Sequence, residues 1–149
     1  METATGKIGE EGMIRRLTEE WADALRAKDV DRMMKNYSPD VTVFDISPPL
    51  QSVGAEAYRR KWEQMFKSIE GPIGYEVREM TITAGDEVAF CHCLNRVSGK
   101  MKSGQRNDGT WIRVTVCFRK VDGRWIVTHE HGSVPFDVKS GRASLELTP

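Results

Sequence analysis

The sequence predicts one small α+β domain, in which three N-terminal helices pack on a curved antiparallel sheet that forms a cone around a pocket. Two patterns lead to this prediction. Apolar residues in the first half of the chain recur at spacings of three and four, which is typical of amphipathic helices. From Gly74 onward they recur at every second position, as in half-buried strands. We expect residues 1–149 to form a single domain, with residues 1–9 as a flexible lead-in.

The composition restricts the possible partners. Lysine and arginine number 22, as do aspartate and glutamate, so the formal net charge is zero. Such a chain lacks the strong field of nucleic-acid-binding proteins, and no apolar run approaches the ~20 residues of a membrane helix. We therefore expect no nucleic-acid or membrane partner. Three cysteines and an N-terminus without an apolar export segment favour a soluble, cytoplasmic protein with reduced thiols.

Three helices are predicted from periodicity and capping signals. The first begins at about Glu10 and has one apolar face. Asp29 can cap a second, shorter helix, which carries apolar residues as far as Tyr37 and is ended by Pro39. A third helix begins near Gly54 and ends before the Gly-Pro pair at 71–72.

The strands are predicted from β-branched content and alternation. One strand runs from Val41 to Ile46, between the second and third helices. In the later strands the apolar face changes near Arg78–Glu79, which indicates a bend. Asp122-Gly123 is typical of a two-residue hairpin turn, and the last main strand follows it from Arg124 to about Val134. Long twisted strands with a bend curl, so the helices would cover the concave side.

Three parts of the chain resemble the NTF2-like superfamily, and within it the ketosteroid isomerase and SnoaL-like polyketide cyclase branch. They are Trp21 in the first helix, the segment Lys28–Asp45, and the ending Asp122–His131 with its Gly-Arg-Trp and His-x-His motifs. The resemblance extends from about Glu10 to Val134. It implies a cone-shaped fold with a pocket, but this scaffold serves many unrelated functions.

Asp45 is the main candidate for a catalytic group. By resemblance it occupies the position of the isomerase's general base, in the pattern Tyr37-x-x-Asp40-x-x-x-x-Asp45. It also shares a strand face with Val41 and Val43, and if that face is interior, desolvation would favour a base of raised pKa. Alternatively, Asp45 caps the end of the strand.

The positions that match the isomerase's oxyanion donors hold Trp21 and, approximately, Trp111. An indole N–H is a far weaker acid than the tyrosine and aspartic acid used there, which argues against ketosteroid isomerisation itself. Two indoles suit an aromatic pocket for a flat ligand. Alternatively, both tryptophans simply fill the core.

Arg113, His129 and His131 are the groups expected to assist Asp45. Arg113 shares a face with Trp111, and we expect that face to line the pocket; otherwise Arg113 is a surface residue. His129 and His131 lie on one strand face, as do Cys91 and Cys93, a spacing that two metal ligands can use. The strand of Arg113 would separate the two pairs by about 9–10 Å, which is too far for one ion, so we expect no metal. We also expect no cofactor.

The leading interpretation is a pocket protein for a small apolar or aromatic molecule, acting as an isomerase, cyclase or lyase with Asp45 as base. The alternative is a non-catalytic module for ligand binding or oligomerisation. His92 is either a pocket residue or a core histidine with its hydrogen bonds satisfied. A homodimer is expected, because both sheet faces carry apolar residues and helices cover only one. The expected ligand contacts are Trp21, Met33, Tyr37, Phe44, Trp62, His92 and Trp111.

Overall fold

Three helices cover the concave face of a curved sheet in the computed structural model, which describes residues 8–149. Of the expected lead-in, residues 1–7 therefore lie outside the described residues. The helices are α1 (Glu10–Arg26), α2 (Val30–Met34) and α3 (Ala55–Ser68). In this part of the chain, no helix has the length and apolar character needed to cross a membrane.

Nine strands form two sheets within the described residues. The main sheet has the order β2-β1-β7-β6-β4-β3, with β5 beside β4, and β8 and β9 form a separate pair. The strands of the main sheet are β1 (Tyr37–Phe44), β2 (Ser52–Val53), β3 (Ile69–Ala84), β4 (Val88–Met101), β5 (Arg106–Asn107), β6 (Trp111–Val121) and β7 (Arg124–Ser133). Those of the small sheet are β8 (Phe136–Asp137) and β9 (Arg142–Ala143).

The sheet is mixed, which corrects the expectation of an antiparallel one. Strands β1 and β7 are parallel, whereas the other pairs are antiparallel. The period of two shows which residues share a face but not which strands pair, so it could not predict this neighbour. The pairing matters for function because it sets the end of β1 beside the end of β7.

The second helix is shorter than expected, and β1 begins earlier. The Asp29 cap is confirmed, since Asp29 Oδ1 accepts the Arg32 backbone N–H at 3.1 Å. Helix α2 nevertheless ends at Met34, and β1 runs through Pro39. The register with β7 is irregular between Tyr37 and Thr42, so the missing N–H of Pro39 leaves no gap in a regular ladder.

The predicted bend in β3 is confirmed. Its register with β4 shifts between Arg78 and Thr81, and Glu79 has a φ of 55°. Before the shift Tyr75 is buried, and after it Ile82 packs against the core, so the inward positions change from odd to even. The irregularity lets one long strand curve around the cone.

A second irregularity lies in β7 and decides which of its polar residues are buried. Cys117 and Phe118 of β6 pair with His129 and Val127, which leaves Thr128 as an extra residue in β7. Alternation therefore restarts after Val127, and Glu130 is the next buried position. The two histidines that flank Glu130 are less buried than it is.

Candidate functional site

A cavity of about 460 Å³ lies between the helices and the concave sheet face. This volume is in the range of small-molecule sites. Most of its wall is apolar, with rings from both the helices and the sheet. Polar side chains also line it, among them Asp45, Lys61, Asn95 and Glu130. A concave apolar space with a few convergent polar groups is the arrangement expected of a binding or catalytic site.

Glu130 is the most buried acid of the cavity, and two tyrosines hold it. Glu130 is only 8% exposed. The Tyr37 hydroxyl donates to Glu130 Oε1 at 2.5 Å, and the Tyr58 hydroxyl donates to Glu130 Oε2. Strands β1 and β7 and helix α3 thus each supply one member of a buried polar cluster, which we call the Glu130 cluster (Tyr37, Tyr58 and Glu130).

The electrostatics of the Glu130 cluster favour protonated groups. Burial raises the pKa of Glu130, and the negative charge of Asp45 raises it further. The hydrogen bonds from Tyr37 and Tyr58 act against burial and lower the pKa, and so does His129. Burial also raises the pKa of both tyrosines well above the usual value, so both remain protonated at neutral pH and can donate.

Asp45 forms an ion pair with Lys61 at the more exposed end of the cavity. Lys61 Nζ lies 3.0 Å from Asp45 Oδ2, and the two side chains are 22% and 28% exposed. Asp45 Oδ1 accepts the backbone N–H of Ile46 at 2.8 Å. Lys61 also reaches the carbonyl oxygen of Ser47 at 3.4 Å. One carboxylate oxygen is therefore held by the backbone just after β1, and the other by Lys61 of α3.

The wall of the cavity contains a cluster of aromatic rings. Trp21 packs edge-on against Trp62 and Tyr75, with ring centroids 5.5 and 5.7 Å apart. Asn95 Nδ2 donates to the Tyr75 hydroxyl at 3.0 Å. Within residues 8–149, the buried indole nitrogens of Trp21 and Trp62 have no hydrogen-bond partner. These rings provide flat apolar surface for a ligand.

Several of the residues expected in the pocket do line it. They are Trp21, Tyr37, Phe44, Asp45 and Trp62. Met33 does not, because it lies in a second buried cluster beneath the helices, with Leu25 and Phe66 among its neighbours. His92 is exposed on the outer sheet face, so it is neither a pocket residue nor a core histidine. Its neighbours Cys91 and Cys93 take the buried positions of β4 instead.

Trp111 and Arg113 lie on the outer face, contrary to the expectation. Strand β6 turns Ile112 and Val114 into the cavity, because burial of these apolar residues outweighs burial of a guanidinium. Trp111 is contacted by the guanidinium groups of Arg78 and Arg96, whose carbons lie 4.9 and 5.0 Å from the ring centroid. The exposed Arg113 donates through Nε to Ser133 Oγ at 3.1 Å.

His129 and His131 also lie outside the cavity, because of the extra residue Thr128 in β7. Both rings pack edge-on against Phe44, with centroids 4.7 and 5.4 Å away. His129 Nδ1 donates to the Thr42 carbonyl oxygen at 2.6 Å. The Cys-x-Cys and His-x-His pairs therefore face opposite sides of the sheet. Within the described residues, no three His, Cys, Asp or Glu side chains form a group that could hold a metal.

Glu130 was not singled out by the sequence pattern. Simple alternation from Trp125 and Val127 puts Glu130 on the opposite, outer face, with the histidines inside. The extra residue at Thr128 reverses this assignment. Gly132 shares the inward face and also lines the cavity, but a glycine gives no hydrophobic signal that could have revealed the change.

The fold and the cavity are those of a cone-shaped pocket protein, and the family comparison agrees. The SnoaL-like domain family matches residues 14–137, so the chain belongs to the SnoaL-like family. An NTF2-like protein of unknown function from Pseudomonas putida KT2440 is similar over 96% of this chain and 99% of its own, with 34% identity and a TM-score of 0.85. The expected superfamily and fold class are thereby confirmed.

More distant solved structures share the fold. A ketosteroid isomerase-like protein from Erwinia carotovora atroseptica SCRI1043 is 17% identical over 84% of this chain and 95% of its own, with a TM-score of 0.70. A provisionally assigned scytalone dehydratase from Novosphingobium aromaticivorans DSM 12444 is 15% identical over 92% of both chains, with a TM-score of 0.74. The sequence has no detectable match among curated proteins.

Proposed function

We propose that this SnoaL-like protein binds a small, flat, apolar or aromatic molecule and catalyses proton transfer at carbon without a cofactor, with Asp45 as general base. The observation that carries the proposal is the Asp45 carboxylate, held by Lys61 and the Ile46 N–H at the edge of an apolar cavity. Reactions of this class include isomerisation, cyclisation and elimination.

The proposed step is removal of a proton from a carbon next to a carbonyl group. Asp45 takes the proton, the electron pair of the C–H bond forms a carbon–carbon double bond, and negative charge moves to the carbonyl oxygen. The fixed position of the carboxylate favours this transfer, because a general base must lie within hydrogen-bond reach of the proton it removes. His129, His131 and Arg113 have no part in this step, since none lines the cavity.

A homodimer formed through the outer sheet face is also part of the proposal. Val88 and Phe90 of β4 are 61% and 45% exposed there. Phe90 lies beside Cys117 of β6, so apolar surface continues across two central strands. A second copy of the chain placed against this face would remove it from water, at about 25 cal/mol per Å² of buried apolar area.

The proposal can be tested with 2-tetralone, a flat ketone with acidic C–H groups next to its carbonyl. In deuterium oxide, loss of these proton signals in NMR spectra reports base-catalysed enolisation directly. The protein should accelerate exchange well beyond buffer and beyond the same protein after denaturation. Binding without acceleration would favour the non-catalytic alternative. Absence of both would contradict the proposed ligand class.

A further inference from the structure

We propose that Glu130 and Tyr58 form a second proton-carrying pair, which protonates the ligand's carbonyl oxygen while Asp45 removes the proton from carbon. This inference rests on the proposed function and adds the acid that the base requires. Enolisation places negative charge on oxygen, and an apolar wall cannot stabilise that charge. A proton donor facing the same cavity can do so.

The geometry supplies such a donor. Tyr58 and Glu130 both line the cavity, and the Tyr58 hydroxyl is hydrogen-bonded to Glu130 Oε2. Tyr58 and Lys61 are three residues apart in α3 and hence lie on the same side of the helix. Since Lys61 binds Asp45, one side of α3 contacts both the buried acid, through Tyr58, and the proposed base, through Lys61.

Tyr37 has a different place in the Glu130 cluster. It donates to the other oxygen, Oε1, from the first residue of β1. Tyr58 instead shares α3 with Lys61, the residue that binds Asp45. We therefore assign proton delivery to Tyr58 and a positioning role to Tyr37, which holds Glu130 in place and lowers its pKa.

The charge environment of Glu130 favours the acid form. The titratable groups around Glu130 are Tyr37 of β1, Asp45 just after β1, Tyr58 of α3, Tyr75 of β3, Cys91 and Cys93 of β4, and His129 of β7. Burial and the Asp45 charge raise the pKa of Glu130, whereas Tyr37, Tyr58 and His129 lower it. Burial raises the pKa values of Tyr75, Cys91 and Cys93, and a negative charge on Glu130 raises them further. These groups all remain neutral at a pH where Glu130 carries its proton.

Every proton that moves in this step has a donor and an acceptor in the site. In the acid form, Glu130 carries its proton on Oε2 and donates it to the Tyr58 oxygen, so the Tyr58 hydroxyl proton is free for the ligand. Asp45 then receives the proton from carbon, Tyr58 gives its hydroxyl proton to the ligand oxygen, and Glu130 passes its proton to the Tyr58 oxygen. The products are the enol, protonated Asp45 and the Glu130 carboxylate, and the tyrosine is unchanged. Return of a solvent-derived proton to carbon by Asp45 reverses each transfer and restores the site.

The experiment measures 2-tetralone exchange as a function of pH in the wild type, Glu130→Gln, Tyr37→Phe and Tyr58→Phe. The wild-type rate should fall as the pH rises through the raised pKa of Glu130, because Glu130 then loses its proton. Glu130→Gln and Tyr58→Phe should reduce the rate by roughly 10²–10⁴-fold, the usual effect of a positioned acid or base. Glu130→Gln should also lose this decline with rising pH. Tyr37→Phe should move that decline to higher pH, because Tyr37 lowers the pKa of Glu130.

The controls separate this inference from the proposed function. Glu20→Gln changes an exposed acid of α1 and should keep the wild-type profile. If Glu130→Gln keeps the wild-type rate and its decline with rising pH, in a protein whose exchange depends on Asp45, the inference is overturned and the proposed function stands. Exchange no faster than buffer in the wild type would overturn both. A purely structural Glu130 predicts a lower melting temperature without any movement of the pH profile in Tyr37→Phe.

Discussion

The Tyr37 hydroxyl and Glu130 Oε1 lie 2.5 Å apart, although the two residues are 93 positions apart in the chain. Their hydrogen bond joins the start of β1 to the buried part of β7 inside the cavity. It also crosses the one parallel pair of strands in the main sheet. A contact that closes such a long loop matters both to the stability of the cone and to the protonation of its most buried acid.

The first prediction concerns the stability supplied by this contact. Tyr37→Phe should lower the free energy of unfolding by about 1–3 kcal/mol, because a buried carboxyl group loses a donor. Urea unfolding at neutral pH measures the change. Tyr75→Phe is the matched control, since Tyr75 is equally buried but bonds to the neutral Asn95. A larger loss in Tyr75→Phe than in Tyr37→Phe would contradict the importance assigned to the Glu130 contact.

The second prediction is the pH dependence of stability caused by Glu130. Its pKa is raised in the folded protein above the value of about 4.3 for an unfolded glutamate. Its contribution to stability is therefore complete below the unfolded pKa and is lost as the pH rises through the folded pKa. Glu130→Gln cannot titrate, so its stability relative to wild type should increase across this window. Denaturant melts at a series of pH values test this, and parallel curves would refute it.

The third prediction concerns thiol reactivity. Burial raises the pKa of Cys91 to about 12 and that of Cys93 to about 11, and it also raises the pKa of Cys117. Because the thiolate is the reactive form, none of the three should react readily with an aromatic disulfide reagent at neutral pH. All three should react once denaturant is added. Rapid modification of Cys91 or Cys93 in the folded protein would show that the inner face is less closed than described.

The fourth prediction tests the proposed homodimer. Phe90→Glu places a charge on the apolar part of the outer sheet face and should convert a dimer into a monomer in light-scattering measurements. Phe136→Glu is the matched control, because Phe136 is 60% exposed but lies on the small sheet of β8 and β9. A monomeric wild type at micromolar concentration, or a dimer that both variants retain, would exclude this interface.

The sequence predicted the parts of the fold that depend on local signals. The Asp29 cap, the start of α3 after Gly54 and the bend near Glu79 all appear in the structure. Periodicity reports burial of one face, and it did so correctly for the helices. It carries no information about which strand lies beside β1, so the parallel pairing with β7 was not predicted.

The candidate site was predicted less completely, for a physical reason. Which face of a strand is inside follows from alternation only while the register is regular. Because Thr128 is an extra residue in β7, His129 and His131 lie on the outer face of the sheet and Glu130 lies on the inner face. In β6 the register around Arg113 is regular, so alternation separates Trp111 and Arg113 from Ile112 and Val114. Alternation does not say which of these two pairs faces the cavity. The apolar pair lines the cavity, as desolvation of a guanidinium would predict.

The most direct test of the central claim, that Asp45 is the base of a proton-transfer site, is the rate of 2-tetralone exchange in Asp45→Asn. Asp40→Asn is the matched control, because Asp40 is an exposed acid close to it in the chain, on β1. We predict a loss of roughly 10²–10⁴-fold in Asp45→Asn with nearly unchanged melting, and no loss in Asp40→Asn. If Asp45→Asn instead keeps the rate of Asp40→Asn and loses about 0.5–2 kcal/mol of stability, Asp45 is only a cap at the end of β1. That result would contradict its role as the base.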